Sequence, residues 1–149
     1  MSKTVQVNLR QDRDFRFAIH FAEDLPPFYG DEPPPLGAGT GPAPSQLLAA
    51  AVGNCLSDSL LFALRKFKQS PEPIGAEATA VIDRNAENRL RVLEIRVKLT
   101  LGVPAASLAH LDRALSQFEE FCIVTQSVRQ GIPVAVKVLD GTGKVVHGG

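Results

Sequence analysis

The stretch SQLLAAAVGNCLSDSLLFALRKFKQ, residues 45–69, decides the fold of this 149-residue chain. Pro44 suits the start of a helix, and the Ser-Pro pair at 70–71 ends it. Charged residues are absent from the first three turns, and apolar side chains occupy most of the helix circumference. A helix that is apolar on most sides has to be buried on most sides. The stretch therefore predicts a long central helix.

The segments before this helix predict two strands and a long loop. Apolar and polar residues alternate over 5–9 and again over 15–21, which is typical of half-buried strands. A turn over 11–14 would join them into an N-terminal hairpin. Residues 24–44 are rich in Pro and Gly, which neither a helix nor a central strand tolerates. We expect this segment to be a loop that covers part of the molecule.

The segments after the helix predict a second hairpin, a second helix and a last strand. Their patterns place strands over 74–82 and 90–101, a helix from 103 to about 120, a helical turn over 127–129, a strand over 133–139 and a short tail strand over 144–147. The order ββ–loop–α–ββ–α–β predicts an α+β fold with mostly antiparallel pairing. We expect one domain over residues 1–149.

Composition excludes several classes of protein. Hydrophobic residues make up 44% and charged residues 21% of the chain, which excludes a disordered protein. Sixteen Lys and Arg balance sixteen Asp and Glu, so no overall field would hold a nucleic acid. Uninterrupted apolar runs fall short of the ~20 residues of a membrane span, and no secretory signal is visible. We expect a cytoplasmic protein without a nucleic-acid or membrane partner.

Cys55 in the central helix and Cys122 after the second helix are the only cysteines of the sequence. With three histidines and no CxxC or HxxxH spacing, we expect no metal site and no cofactor. Two such thiols are either buried core residues or a redox pair, and their separation in sequence does not distinguish these alternatives. Cys122 precedes a helical turn, so we expect it near a helix N-terminus, where a thiolate is favoured.

A reactive Cys55 would need a nearby cation, because burial raises the pKa of a thiol. Asp58 lies one turn further along the helix and would oppose ionisation if it faced the same way. The candidate cations lie on the first predicted hairpin and are Arg10, Arg13 and Arg16, with His20 as a weaker option. Strand alternation turns Arg16 away from the apolar face, so Arg16 is the predicted activator of Cys55.

Two motifs, GPAPSQLLAAAVGNCL at 41–56 and FCIVTQSVRQGIPVAVKV at 121–138, resemble those of the OsmC/Ohr family of osmotically induced and organic hydroperoxide resistance proteins. The resemblance implies an oxidative-stress thiol peroxidase acting on organic hydroperoxides. Cys55 would be the peroxidatic thiolate, and Cys122 would resolve its sulfenic acid to a disulfide. The resemblance also implies an intertwined homodimer with active sites at the subunit interface. A dithiol reductant, lipoylated or thioredoxin-like, would restore the thiols.

Two positions depart from the family pattern. The family's peroxidases carry a Glu ten residues before the first cysteine, where it pairs with an activating arginine, and here that position is Ser45. The second motif reads Cys-Ile-Val-Thr where the family has a Cys-Pro pair. These departures leave a second hypothesis open, in which a non-catalytic OsmC-like dimer binds an apolar small molecule between its subunits.

Overall fold

The computed structural model describes residues 2–132, 134–140 and 142–148. Its helices and strands are β1 (Asn8–Arg13), β2 (Arg16–His20), β3 (Phe28–Gly30), α1 (Pro44–Lys66), β4 (Gly75–Arg84), β5 (Leu90–Thr100), α2 (Leu111–Gln117), α3 (Ile123–Gln130), β6 (Val138–Leu139) and β7 (Val145–His147). They form the sheets β1-β2-β3, β4-β5 and β6-β7, and the strand pairs of the described residues are antiparallel. The predicted α+β fold class is confirmed.

The predicted central helix is α1. Pro44 occupies its first turn, and the Ala43 backbone N–H donates to Gln46 Oε1 at 2.8 Å, which satisfies the start of the helix. The helix ends at Lys66, three residues before the predicted end, because Lys68 adopts a left-handed φ of 59°. Arg65 and Lys66 lie in the last turn, where cations suit the helix dipole.

Within one chain, α1 is buried along one face rather than on most sides, so that expectation was wrong for the single subunit. The buried face packs against β4, β5, α2 and α3 and consists of Ala49, Val52, Gly53, Leu56, Leu60 and Leu64. Leu48 remains 37% exposed and Phe62 63% exposed. The single chain supplies too few elements to cover the remaining apolar surface of this helix.

α1 is also the one described helix that is long and apolar enough to cross a membrane by length and composition. The prediction from the sequence concerned uninterrupted apolar runs, and the polar residues at 54 and 57–59 interrupt those of α1. An average over the helix tolerates such residues. In the fold, α1 has the position of a core helix.

The β4–β5 hairpin forms the layer beneath α1 and follows the prediction closely. Ile95, Val97 and Leu99 of β5 turn towards the core cluster, as their alternation with charged residues predicts. Gly53 of α1 packs against Ala78 of β4, and a Cβ added to Gly53 would lie 3.2 Å from Ala78 Cβ. Small residues at this contact allow the helix to lie close to β4.

The N-terminal sheet differs from its prediction in two ways. The turn lies at Asp14 and Phe15, where Asp14 has a φ of 49°, instead of over 11–14. The Pro-rich segment also contributes the short edge strand β3, which pairs with β2 through Phe28, Tyr29 and Gly30. Pro residues flank this strand without interrupting it, so their density in the segment concealed it.

The predicted helix over 103–120 is broken into three pieces. A 3₁₀ turn (Ala105–Ser107) precedes α2, and a second 3₁₀ turn (Phe118–Phe121) follows it. His110 interrupts the helix with a left-handed φ of 60° and stacks on Phe67, with ring centroids 4.9 Å apart. The Ala109 N–H donates to Gln69 Oε1 at 2.9 Å. Contacts to the end of α1 therefore override the local helix pattern.

The last predicted strand, over 133–139, is reduced to β6 at Val138–Leu139. Pro133 and Gly141 lie outside the described residues. The apolar side chains of Val134 and Val136 are 81% and 58% exposed. No neighbouring strand pairs with residues 134–137 among the described residues, so their alternation produces no strand in one chain. The predicted helical turn is α3, which ends before Gly131 with its φ of 77°.

Candidate functional site

The structure brings Cys55 and Cys122 together between α1 and α3. Cys55 is half-buried in the middle of α1, whereas Cys122 is completely buried at the N-cap of α3. Cys122 belongs to the core cluster and Cys55 packs against the same cluster, and no disulfide joins them. Phe118 of the preceding 3₁₀ turn packs into the same core cluster and fixes the chain that carries Cys122. The expectation that Cys122 lies at a helix N-terminus is confirmed.

Polar groups surround the Cys122 sulfur. Burial opposes its ionisation, but contacts with Cys55, Thr125 and Ser59 hold the pKa of Cys122 below its ordinary value. The Cys122 Sγ and Thr125 Oγ1 atoms are 2.9 Å apart. The backbone N–H of Thr125, in the first turn of α3, also favours the thiolate.

Cys55 behaves in the opposite way. Burial raises the pKa of its thiol, and the contact with Cys122 raises it further, because Cys55 is the donor of the pair. The backbone N–H groups of Val124 and Thr125 act against this rise without cancelling it. In one isolated chain, Cys122 is therefore the more acidic sulfur, and Cys55 is the more accessible one.

Asp58 does not share the environment of Cys55. Its carboxylate is exposed and accepts a hydrogen bond from Asn54 Nδ2 at 3.2 Å. Asp58 was expected to oppose ionisation of Cys55 only if both side chains faced the same way. The two side chains face different ways, so this condition is not met.

Arg16 lies in a cluster of polar residues on the N-terminal sheet. Its guanidinium stacks over the Tyr29 ring at 4.0 Å and donates to Thr40 Oγ1 at 3.2 Å. Its Nε lies 3.0 Å from Asp12 Oδ2, so the two side chains form an ion pair. The Nε–H bond does not point at the carboxylate, so this contact is not a hydrogen bond. Thr40 in turn donates its hydroxyl and its backbone N–H to Asp31 Oδ2 at 2.8 and 3.1 Å. Arg16 is thus held from three sides.

This cluster also shapes the Pro-rich loop. Asp31 is 3% exposed, and the backbone N–H of Glu32 donates to its other oxygen at 2.8 Å. Donation from Thr40 is the main reason that the pKa of Asp31 lies below its ordinary value. A Cβ on Gly37 would collide with the Glu32 carbonyl and with Asp31 Oδ1, so the loop requires glycine there.

The structure does not bring Arg16 to Cys55 within one chain. Among the described residues, the polar contacts of Arg16 are made with the N-terminal sheet and the loop that follows it. Ser45, at the position of the family's Glu, lies in the first turn of α1 beside the groove between α1 and β4. Within one chain, Arg16 is anchored by Asp12 and Thr40.

A groove lined by apolar and charged residues opens near the cysteine pair. It has a volume of about 520 Å³ and is bounded by α1, β5 and α3, with Leu48, Val52, Leu56, Thr125 and Val128 among its walls. Thr125 lines this groove and also contacts the Cys122 sulfur.

The family model for OsmC-like proteins matches residues 37–137 of the chain. The chain belongs to the OsmC-like family. The matched range contains α1, the β4–β5 hairpin, both cysteines and α3. The OsmC-like resemblance of the two cysteine motifs is therefore confirmed. No curated protein sequence matches the chain.

Solved structures share the OsmC-like fold. An osmotic stress induced and detoxification response protein from Psychrobacter arcticus has a TM-score of 0.70 at 19% identity, covering 85% of this chain and 90% of that one. The organic hydroperoxide resistance protein OhrB of Bacillus subtilis has a TM-score of 0.59 at 19% identity, covering 89% and 95%. An organic hydroperoxide resistance protein OsmC from Legionella pneumophila has a TM-score of 0.60 at 17% identity, covering 85% and 90%. At these identities the likeness establishes the fold.

The sequence analysis missed Thr125, Ser59 and Asp31 as parts of these two clusters. A signal existed for Thr125, because a hydroxyl three residues after a cysteine at a helix N-terminus lies on the same side of the first turn. Ser59 stands one turn after Cys55 on the same helix face. Asp31 gave no signal, because its contact with Thr40 depends on the path of an irregular loop.

Proposed function

We propose that this OsmC-like protein is a thiol peroxidase that reduces organic hydroperoxides through Cys55 and Cys122, and that it serves oxidative-stress defence in the cytoplasm. The observation that carries the proposal is that an accessible thiol and a buried thiol at a helix N-terminus pack in the same core cluster. Such an arrangement lets a substrate reach one sulfur, while the other is held ready to react with it. The hydroperoxide names of structural relatives support the substrate class.

The proposed reaction balances in two steps. The Cys55 thiolate attacks the outer peroxide oxygen, so that an S–O bond forms, the O–O bond breaks and the alkoxide takes a proton to leave as an alcohol. The Cys122 thiolate then attacks the Cys55 sulfur, the S–O bond breaks and hydroxide leaves as water after taking a proton. A dithiol reductant, lipoylated or thioredoxin-like, returns the disulfide to two thiols.

The working unit in this proposal is a homodimer. The chain exposes 11352 Å², whereas a compact monomer of its mass exposes about 7,400 Å². The additional accessible surface of this chain is as large as the surface that obligate dimers bury in their interface. Exposed apolar residues at the edges of the chain, among them Phe62, Phe121, Val134 and Val136, would be covered by a second copy.

The activating cation in this proposal is Arg16 of the second copy. Cys55 needs a cation to ionise at neutral pH, because burial raises its pKa within one chain. Arg16 remains charged in any surroundings, and its fixed position over Tyr29 limits the entropy lost in the active site. Intertwining of the N-terminal sheets would deliver it to the Cys55 of the other subunit.

The proposal is tested by consumption of cumene hydroperoxide with a dithiol reductant, compared with Cys55→Ser and Cys122→Ser. We expect Cys55→Ser to lose activity, and Cys122→Ser to accumulate a sulfenic acid and to turn over slowly. Full activity in Cys55→Ser would refute the proposal.

The role of Arg16 is tested by Arg16→Met, with Arg10→Met on the same hairpin as the matched control. We expect Arg16→Met to slow oxidation of Cys55 by about tenfold or more, because a charge-assisted hydrogen bond is lost. The control should react like the wild type. Equal oxidation rates in both variants would show that another group activates Cys55.

The alternative is an OsmC-like dimer that binds an apolar small molecule without catalysis. The raised pKa of Cys55 and the apolar part of the groove near the cysteines favour it. Titration of Cys55 near or above ~8.5 in the intact protein, with both thiols surviving excess peroxide, would select this alternative.

A further inference from the structure

The partner of the Thr125 side-chain hydrogen bond is unusual for a helical residue. Threonine and serine hydroxyls inside helices commonly donate to a carbonyl three or four residues earlier. Ser57 and Ser127 do so, to the carbonyls of Gly53 and Ile123 at 2.7 and 2.8 Å. Among the hydrogen bonds of the described residues, Thr125 Oγ1 instead accepts from the Cys122 thiol at 2.9 Å.

The surroundings leave few other groups to stabilise a charge on that sulfur. Cys122 is completely buried, and Thr125 is 5% exposed. Charged side chains on the elements packed around the pair all reach solvent, namely Asp58, Arg65 and Lys66 on α1, Arg91, Glu94, Arg96 and Lys98 on β5, Asp112 and Arg113 on α2, Glu119 and Glu120 on the 3₁₀ turn, and Arg129 on α3. Glu119 is also neutralised by Arg129. The sulfur therefore depends on short-range donors.

Those donors change during the proposed reaction. In the reduced protein, contacts with Cys55, Thr125 and Ser59 all lower the pKa of Cys122. The neutral Cys122 thiol donates to Thr125 Oγ1, and once Cys122 is a thiolate the Thr125 hydroxyl can turn and donate to it. Once Cys55 is a sulfenic acid, its S–H group no longer exists. The hydroxyls of Thr125 and Ser59 then remain for the step in which Cys122 becomes the nucleophile.

We propose that Thr125 is a positioning residue for disulfide closure, whose hydroxyl holds the Cys122 sulfur and stabilises its thiolate during attack on oxidised Cys55. This inference rests on the proposed peroxidase function. The Cys122 thiolate forms the S–S bond, and the S–O bond of the sulfenic acid breaks. Hydroxide departs with the electron pair and becomes water with the proton that Cys122 released. The hydroperoxide is the only oxidant that the sequence of steps consumes.

The test is a single turnover with one equivalent of cumene hydroperoxide, followed over time by dimedone trapping and mass spectrometry. This separates formation of the Cys55 sulfenic acid from closure of the disulfide. Thr125→Val removes the hydroxyl at nearly constant volume, and Thr125→Ser keeps it. Ser127→Ala is the matched control, because it removes a hydroxyl of the same helix that bonds to a carbonyl. Thr125→Ala replaces Thr125→Val if circular dichroism shows that valine disturbs the fold.

We expect Thr125→Val to form the sulfenic acid at the wild-type rate and to close the disulfide about tenfold more slowly at neutral pH. Its closure rate should rise towards the wild-type rate at alkaline pH, where Cys122 ionises without help. Thr125→Ser and Ser127→Ala should close normally.

Two results would overturn the inference in distinguishable ways. Normal closure in Thr125→Val with an unchanged pH profile would remove the role of Thr125 and leave the peroxidase function standing. A wild-type protein in which Cys55 is never oxidised would remove both.

Discussion

The two cysteines show how far the residue scale could be predicted. The position of Cys122 at a helix N-terminus followed from the local pattern around it, and the structure confirms it. The contact with Cys55 could not follow from spacing, because it depends on how α3 docks on α1. Thr125 was missed for the same reason, since its importance appears only when the sulfur beside it is known to face another thiol.

The opposite acidities of the two thiols yield a prediction for Cys122→Ser. Serine carries no charge at neutral pH, so the contribution by which Cys122 raises the pKa of Cys55 is lost. We expect the pKa of Cys55 to fall, so that a larger fraction is thiolate at neutral pH and alkylation is faster. The measurement is the pH dependence of iodoacetamide labelling at Cys55, resolved by peptide mapping. An unchanged or higher midpoint would show that Cys122 does not control this thiol.

At the scale of elements, prediction succeeded where one local pattern decides the structure. α1, β4 and β5 have nearly their predicted bounds, because helix signals and strand alternation are uninterrupted there. Prediction failed where distant contacts intervene. His110 breaks the second helix by stacking on Phe67, and β3 forms because β2 offers it an edge.

The loop between β3 and α1 gives a prediction for Asp31→Asn. Its folded-state pKa is lowered, chiefly by the Thr40 backbone N–H, so the carboxylate stabilises the fold above about 3.9, the usual unfolded pKa. That contribution disappears as the pH falls through the folded pKa. We expect Asp31→Asn to lower Tm by several degrees at pH 7 and by progressively less in acid.

Thermal unfolding followed by circular dichroism over a pH series checks this expectation. Asp58→Asn is the matched control, because it neutralises an exposed carboxylate on α1 and should leave Tm unchanged. A loss of stability in Asp31→Asn that is the same at every pH would show that the charge of Asp31 does not stabilise the loop.

At the scale of the whole molecule, the surface left open by one chain supports the proposed homodimer. Phe62 lies on the exposed side of α1, and Phe121 is 68% exposed beside the cysteine-bearing segment. Residues 134–137 alternate like a strand and have no strand partner among the described residues. Sequence alone could suggest a helix with too much apolar surface, but only the packed chain shows which face remains uncovered.

This yields a prediction for Phe62→Asp. A charge buried in an interface is costly, so we expect this variant to dissociate to monomers at concentrations where the wild type is dimeric. Ala86→Asp, on the exposed turn between β4 and β5, is the control and should remain dimeric. Light scattering coupled to size-exclusion chromatography measures both masses. A monomeric wild type would contradict the homodimer.

The central claim is that Cys55 and Cys122 form one redox pair. Its most direct test exposes the reduced protein to one equivalent of cumene hydroperoxide, blocks remaining thiols and maps the peptides by mass spectrometry. The account predicts a disulfide between Cys55 and Cys122 of the same chain, with both thiols lost together. Recovery of both cysteines as alkylated thiols would contradict it.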